Sequence, residues 1–139
     1  MKRLLYLCAI VLCCSSCNKE EVNNVPDLSG YYTCSFSLQS TPSYSASGTL
    51  NIQKIGDSGY QVSGNEPFQQ ASFSHLSGQQ YLFRIPQTDI IRNGKTYYIT
   101  LTATLTYESG IFETYSCQAA YGEKGVSGQM YNVNNFVLK

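Results

Sequence analysis

Histidine is nearly missing from this sequence, which contains 139 residues and a single histidine, His75. A catalytic triad or a metal site needs several converging side chains of suitable type, and one histidine does not supply them. The acidic residues fall mostly at predicted turns or on outward positions, so they offer no paired acid and base for glycosidic cleavage. We therefore predict a protein that is not an enzyme and has no cofactor and no metal site.

Clustered basic residues, long apolar runs and tryptophan are also lacking. Lysine and arginine together number 9 and form no patch that could neutralise a phosphate backbone, which excludes nucleic acid as a partner. The apolar stretch near the N-terminus stops at Ser15. It is too short for a membrane-spanning helix, which needs about 20 consecutive apolar residues.

The N-terminus has the three-part plan of a secretory signal. It shows a positive start at residues 2–3, an apolar run over residues 4–12 and small residues at 14–16 before Cys17. This plan resembles bacterial lipoprotein signals, in which the peptidase cuts just before a cysteine that carries lipid on its sulfur. The resemblance implies a signal peptide over residues 1–16 and lipidation of Cys17. An ordinary signal peptide is the alternative.

The residues behind Cys17 read Asn-Lys-Glu-Glu, which is similar to the lysine-plus-acidic stretch of Bacteroidetes-type lipoproteins exported to the cell surface. Asn18 is not the aspartate associated with inner-membrane retention in related systems. The resemblance implies a lipid anchor in the outer membrane. It leaves open whether the protein is surface-exposed, because any lipoprotein needs a charged tether. Residues 17–29 are predicted to be the lipidated cysteine and its tether.

The remaining chain has the composition and patterning of a β protein, with 12 tyrosines in the whole sequence. Residues 96–108 alternate between apolar residues and mostly threonine, as expected for a strand with one buried face. Similar alternation and turn glycines predict eight antiparallel strands within a single domain over residues 30–139. An up-and-down barrel suits such a series because closure removes the exposed sheet edges.

Several segments of this domain resemble lipocalin-like, or calycin, domains. Residues 27–32, Asp-Leu-Ser-Gly-Tyr-Tyr, resemble the family's first-strand motif, with Tyr32 in the aromatic position. Residues 48–52 and 59–62 are similar to strands of small lipocalin-like lipoproteins. The resemblance implies an eight-stranded antiparallel barrel. An immunoglobulin-like β-sandwich is the alternative, although the tryptophan typical of that fold is missing.

Cys34 and Cys117 are the cysteines that follow the lipidation site. Both have inward parity on their strands, and an exported domain meets an oxidising compartment, so a disulfide between them is predicted. In the chain-entropy model such a bridge would stabilise the fold by roughly 4 kcal/mol. Two buried thiols are the alternative, because the first and seventh strands of an eight-stranded barrel are not neighbours.

Eight aromatic residues share the inward parity and form the predicted ligand-binding lining. They are Tyr32, Tyr60, Tyr81, Phe83, Tyr97, Tyr107, Tyr115 and Tyr121. Tyrosine supplies an apolar wall with hydroxyl tips that can orient a small amphipathic ligand. The alternative is a solid barrel, because eight strands enclose a space that side chains can just fill.

The predicted function is that of a lipid-anchored cell-envelope lipoprotein that binds a small hydrophobic or amphipathic ligand. The alternative is a non-catalytic interaction or inhibitory module of an outer-membrane complex. In that case outward-facing Tyr31, Tyr44 and Tyr98 are candidates for a surface that recognises protein or glycan.

Overall fold

The computed structural model describes residues 25–57 and 59–139, in which nine β-strands and one short 3₁₀ helix form. The strands are β1 (Gly30–Leu38), β2 (Tyr44–Ile55), β3 (Gly59–Gly64), β4 (Ser72–Ser77), β5 (Gln80–Arg92), β6 (Lys95–Glu108), β7 (Ile111–Glu123), β8 (Gln129–Asn132) and β9 (Val137–Leu138). The 3₁₀ helix, Phe68–Gln70, lies between β3 and β4. The predicted signal peptide, Cys17 and most of the tether lie outside these residues. Within them, no helix has the length and apolar character needed to cross a membrane.

All nine strands belong to one antiparallel sheet, in the order β8-β7-β6-β5-β4-β3-β2-β1-β9. The all-β, antiparallel prediction is confirmed. The closed eight-stranded barrel is not, because among the described residues β8 and β9 do not pair with each other and the sheet stays open between them. The immunoglobulin-like alternative requires two sheets, and it is wrong because the described residues form a single sheet.

The physical reason for the ninth strand lies in residues 129–138, which the sequence pattern predicts as one strand. Val133 and Phe136 are both buried, yet residues three apart in an extended strand face opposite sides of a sheet. A turn at residues 134–135 brings both side chains into the core and divides the segment. Its first part, β8, pairs with β7, and its second part, β9, pairs with β1.

The sheet is curled, since side chains from distant strands meet on its concave face. Tyr44 of β2 stacks on Tyr121 of β7 with ring centroids 5.3 Å apart. Phe83 of β5 meets Phe136, beside β9, at 5.4 Å. Removal of these apolar side chains from water is the main stabilising contribution to such a fold. The concave side is therefore a packed core, as the solid-barrel alternative expects.

Two register shifts change which side chains face this core. One extra residue in β5 lies between Ile85 and Thr88, at Pro86, so the inward parity changes and Ile90 is buried. A second extra residue in β7 lies at Tyr115, opposite Thr104 and Leu105 of β6. Tyr115 is 76% exposed as a result, which corrects its predicted inward orientation.

The two ends of the curled sheet differ. The β2–β3, β4–β5 and β6–β7 turns lie together at one end, which we call the hairpin end. Six aromatic rings fill the core there through mutual contacts of 4.8 to 6.4 Å: Tyr32, Tyr60, Phe73, Tyr81, Tyr107 and Phe112. The opposite end, with the β1–β2, β3–β4, β5–β6 and β7–β8 connections, is the cleft end.

Residues 25–29, which fall within the predicted tether, pack across the hairpin end. The hydroxyl of Tyr60 donates a hydrogen bond to the Pro26 carbonyl at 2.6 Å, and that of Tyr32 donates to the Leu28 carbonyl at 2.8 Å. Val25 is 5% exposed. The packed part of the chain therefore includes these five residues before β1.

Candidate functional site: a cleft at the open end of the sheet

The predicted ligand-binding aromatics separate into groups. Tyr32, Tyr60, Tyr81 and Tyr107 pack in the hairpin-end aromatic core, and Phe83 is fully buried in the middle of the sheet. Partial removal from water raises the pKa of Tyr60 and of Tyr81. These residues stabilise the fold. Of the predicted set, the structure brings Tyr97 and Tyr121 to one surface cavity and Tyr115 to another.

That cavity is an open cleft of about 380 Å³ at the cleft end. The β1–β2 loop forms one wall, and the ends of β6 and β7 with the β7–β8 loop and β8 form the other. The lining comprises Gln39, Ser40, Thr41, Pro42, Tyr97, Tyr121, Gly122, Glu123, Val126, Ser127, Gln129 and Tyr131. Its volume lies within the range of about 300–1,000 Å³ typical of small-molecule sites.

A stack of three tyrosine rings forms the floor of the cleft. The ring of Tyr121 is sandwiched between Tyr97, at 5.5 Å and 7° between planes, and Tyr44, at 5.3 Å and 16°. The guanidinium of Arg92 lies 5.4 Å from the ring centroid of Tyr44 and donates a hydrogen bond to the Ser43 carbonyl at 2.7 Å. The cation and the three rings hold one another in place, so the floor is preformed.

The middle ring of this stack has an unsatisfied polar atom. Tyr121 is 3% exposed, and its hydroxyl, shielded from solvent, has no hydrogen-bond partner among the described residues. Leaving a buried hydroxyl unpaired costs about 1–3 kcal/mol, and most buried polar groups in proteins are paired. Tyr121 is also a lining residue of the cleft, so the cleft includes a residue whose buried donor lacks an acceptor.

Tyr44, the third ring of the stack, is also buried. It is 7% exposed, although the sequence pattern places it on an outward surface with Tyr31 and Tyr98. Burial, aided by the nearby Glu66 carboxylate, raises the pKa of Tyr44 to about 12. The sequence does contain the signal for this burial. Every second residue from Leu50 back to Tyr44 lies on the same side of β2, so Tyr44 shares the inward side of Leu50.

Two glycines hold the β7–β8 loop close to the strands behind it. A Cβ added at Gly128 would overlap the hydroxyl of Tyr98, and one added at Gly122 would lie 2.7 Å from the Cα of Gly128. Only residues without a side chain permit this approach. The loop that carries Val126 and Ser127 into the cleft is thereby fixed against β7.

The charged groups at the cleft rim are paired. Lys95 donates to Glu123 at 3.1 Å, and Lys124 forms an ion pair with Asp89. Neither lysine lines the cleft, and its one acidic residue, Glu123, is the one paired with Lys95. The lining therefore presents amides, hydroxyls and rings without an uncompensated charge.

A second depression, of about 230 Å³, adjoins the cleft. It is lined by Ser37, Gln39, Tyr131, Asn132, Asn134 and Asn135. Gln39 and Tyr131 line both cavities, so the two adjoin at these side chains. Neither residue was identified from the sequence, since isolated glutamines and tyrosines at strand ends carry no distinctive pattern.

Cys34 and Cys117 are buried, and both thiols are free in this structure. Burial raises the pKa of each to about 12, and the two side chains are close enough for Cys117 to contribute to the shift at Cys34. Their proximity follows from the curled sheet, which brings β1 near β7. The disulfide stays a prediction, and a mass difference of about two daltons on reduction would reveal it.

His75 lies at the hairpin end, far along the sheet from the cleft. Its Nε2 is 2.8 Å from the Gly78 carbonyl, within the β4–β5 turn, and its ring packs on Tyr81 at 5.2 Å. In residues 25–57 and 59–139, no three His, Cys, Asp or Glu side chains come together as metal ligands.

The cleft combines a rigid aromatic floor, a buried hydroxyl in need of a partner and neutral polar walls. These are the properties of a site that binds a small polar molecule with one apolar face. No protein-family model, curated protein or solved structure matches this chain.

Proposed function

We propose that this protein is a lipid-anchored lipoprotein of the outer membrane whose β domain binds a small amphipathic ligand in the cleft and performs no catalysis. The observation that carries the proposal is the cleft with its floor of stacked tyrosines, of which Tyr97 is partly exposed. Aromatic rings offer an apolar face, and the surrounding amides and hydroxyls offer hydrogen bonds.

A lipocalin-like architecture is part of this proposal. Strands β1 to β8 form a meander, and residues 129–138 pair with β7 through β8 and with β1 through β9. Both features support such an architecture, in which this segment would be an interrupted closing strand. In this proposal the ligand occupies the mouth and not the interior, because the core aromatics fill the interior.

Binding is tested with N-phenyl-1-naphthylamine, a neutral amphiphile that becomes fluorescent in apolar sites. The protein used is the chain from residue 17 onward with the substitution Cys17→Ser. We expect the fluorescence to rise with probe concentration until it saturates. The affinity obtained from this curve should be about tenfold lower in Tyr97→Ser, because the exposed ring of the floor is lost. Tyr31→Ser is the matched control, since Tyr31 is 79% exposed and does not line the cleft. No saturable binding, or equal losses in the two variants, would refute the cleft as the site.

The anchor is tested separately by Cys17→Ser in the full chain. The variant should remain unlipidated and leave the membrane fraction, because each buried methylene of an acyl chain contributes about 0.8 kcal/mol to anchoring. Cys8→Ser, within the apolar run of the signal, is the control and should stay lipidated. A Cys17→Ser protein that still sediments with membranes and carries lipid would contradict the proposal.

The second candidate function is a non-catalytic interaction module in an outer-membrane complex. The filled interior favours it, as do Tyr31 and Tyr115, which are 79% and 76% exposed on the convex face. Tyrosine is enriched at protein interfaces. Crosslinking in intact cells should then give one defined adduct that disappears in Tyr31→Ser or Tyr115→Ser and persists in Tyr97→Ser.

A further inference from the structure

The cleft and the depression beside it have the chemistry of a carbohydrate site. We propose that the ligand is a neutral oligosaccharide that lies across both cavities, passing Gln39 and Tyr131. This inference rests on the proposed binding function and names the class of ligand and a second subsite. It depends on four features of the described residues: neutral lining, aromatic rings, the unpaired Tyr121 hydroxyl and the adjacency of the two cavities.

The first feature is the balance of donors and acceptors. Gln39, Ser40, Thr41, Ser127 and Gln129 line the cleft with groups that can both donate and accept hydrogen bonds. Sugar hydroxyls also do both, so they match such walls. A phosphate or carboxylate accepts only, and it would call for Arg or Lys, which the cleft lining does not contain.

The second feature is the rings. Tyr97 and Tyr131 are partly exposed and line the cleft, while Tyr121 lies behind Tyr97 in the stack. A sugar ring has C–H groups on its faces and hydroxyls around its edge. Its faces can therefore pack against tyrosine rings while its edge reaches the polar walls. A purely apolar ligand would leave those polar walls without partners, at a cost in affinity.

The third feature is the unpaired hydroxyl of Tyr121, which is buried at the cleft floor. A sugar hydroxyl that reaches this group can accept a hydrogen bond from it. Binding of that sugar would then remove the desolvation cost that the free protein carries. This gives the first cavity a specific demand for an oxygen atom.

The fourth feature is the adjacency of the two cavities, which together are longer than one sugar ring. The second cavity continues from Gln39 and Tyr131 to the side chains of Asn132 and Asn134. Some lining side chains are already hydrogen-bonded to each other: the Tyr131 hydroxyl donates to the Gln129 side chain at 3.1 Å, and the Asn135 side chain donates to the Ser37 hydroxyl. Gln39 has no such partner among the described side-chain hydrogen bonds, so it is the residue best placed to serve sugars on both sides.

The test uses the intact lipoprotein in phosphatidylcholine nanodiscs and isothermal titration calorimetry. The probes are cellotetraose, maltotetraose, mannotetraose and xylotetraose, the corresponding monosaccharides, and tetragalacturonic acid as a charged chain. At least one neutral tetrasaccharide should bind about tenfold more tightly than its monosaccharide, because it fills both cavities. Gln39→Ala should lower that affinity about tenfold, and Gln53→Ala, an exposed glutamine of β2, should leave it unchanged.

The possible failures are distinguishable. If no neutral tetrasaccharide binds while the naphthylamine amphiphile still binds through Tyr97, the carbohydrate inference is overturned and the proposed function stands. If neither probe binds, both are overturned. A monosaccharide as tight as its tetrasaccharide would refute the second subsite, and tighter binding of tetragalacturonic acid would refute the neutral class.

Discussion

Replacement of Tyr121 by phenylalanine should stabilise the free protein and weaken its binding of ligand. The substitution removes only the hydroxyl that is buried without a partner and keeps the ring between Tyr44 and Tyr97. Most substitutions of buried residues destabilise a protein by about 0.5–3 kcal/mol, so a gain would be informative.

The magnitude follows from the cost of an unpaired buried hydroxyl, about 1–3 kcal/mol. The space left by one oxygen atom loses some packing contacts, so part of that gain is offset. We expect a net increase of about 1 kcal/mol in the free energy of unfolding, or a melting temperature raised by about 3–5 °C for a domain of this size. Ligand affinity should fall by about three- to tenfold, since one hydrogen bond contributes about 0.5–1.5 kcal/mol.

Urea denaturation followed by tyrosine fluorescence measures the first quantity. The midpoint should move to higher urea while the slope m stays constant, because the surface exposed on unfolding hardly changes. Tyr97→Phe is the matched control: its ring belongs to the same stack but is partly exposed, so its free energy of unfolding should change by less than about 0.5 kcal/mol. A Tyr121→Phe protein that unfolds at lower urea than the wild type would show that the hydroxyl is satisfied in solution and that the reasoning is wrong.

Three further changes test the fold and the loop at the cleft. Phe73→Ala should lower the free energy of unfolding, measured by urea denaturation, by about 3–5 kcal/mol, because Phe73 is 2% exposed. Ile55 is 53% exposed, so Ile55→Ala should change the same quantity by less than about 0.5 kcal/mol. Gly128→Ala should cost about 1–3 kcal/mol and shift the backbone amide resonances of residues 122–129, because its Cβ would displace the loop from Tyr98; unchanged spectra would contradict the close contact. The pKa of Tyr44 is about 12 in the folded protein against an ordinary 10.0, so the unfolded state loses this proton at lower pH than the folded state. The free energy of unfolding should therefore fall as the pH rises from 10 to 12. In denaturation curves measured across this pH range, Tyr44→Phe should show a smaller fall.

The regular strands could be read from the sequence because one rule governs them. Along β6, threonines alternate with Ile99, Leu101 and Leu105, and the structure buries these apolar residues, with strand bounds within one residue of the predicted 96–108. On β1 the predicted inward residues from Cys34 to Leu38 are likewise buried. Period-two alternation depends only on local geometry, so it survives without knowledge of the rest of the fold.

Features that depend on contacts between strands could not be predicted. The extra residue at Tyr115 is set by the pairing of β6 with β7, and the sequence of β7 alone contains no sign of it. The interior was predicted to be either a cavity or a core, and side-chain volumes at the hairpin end decide in favour of a core. The cleft arises where loops from distant parts of the chain meet, so Gln39 and Tyr131 have no signature in their own neighbourhoods.

The divided last strand has a consequence for how this protein is made. Ser37 and Asn135, which are 98 residues apart, are hydrogen-bonded, and β9 covers part of the outer edge of β1. Neither contact can form until the chain beyond β8 has been synthesised. The preceding strands must therefore wait with an open edge, which is the state in which β proteins most readily associate wrongly. Chaperoning of the newly synthesised chain, and loss of yield when residues 133–139 are deleted, are the expected cellular signs of that delay.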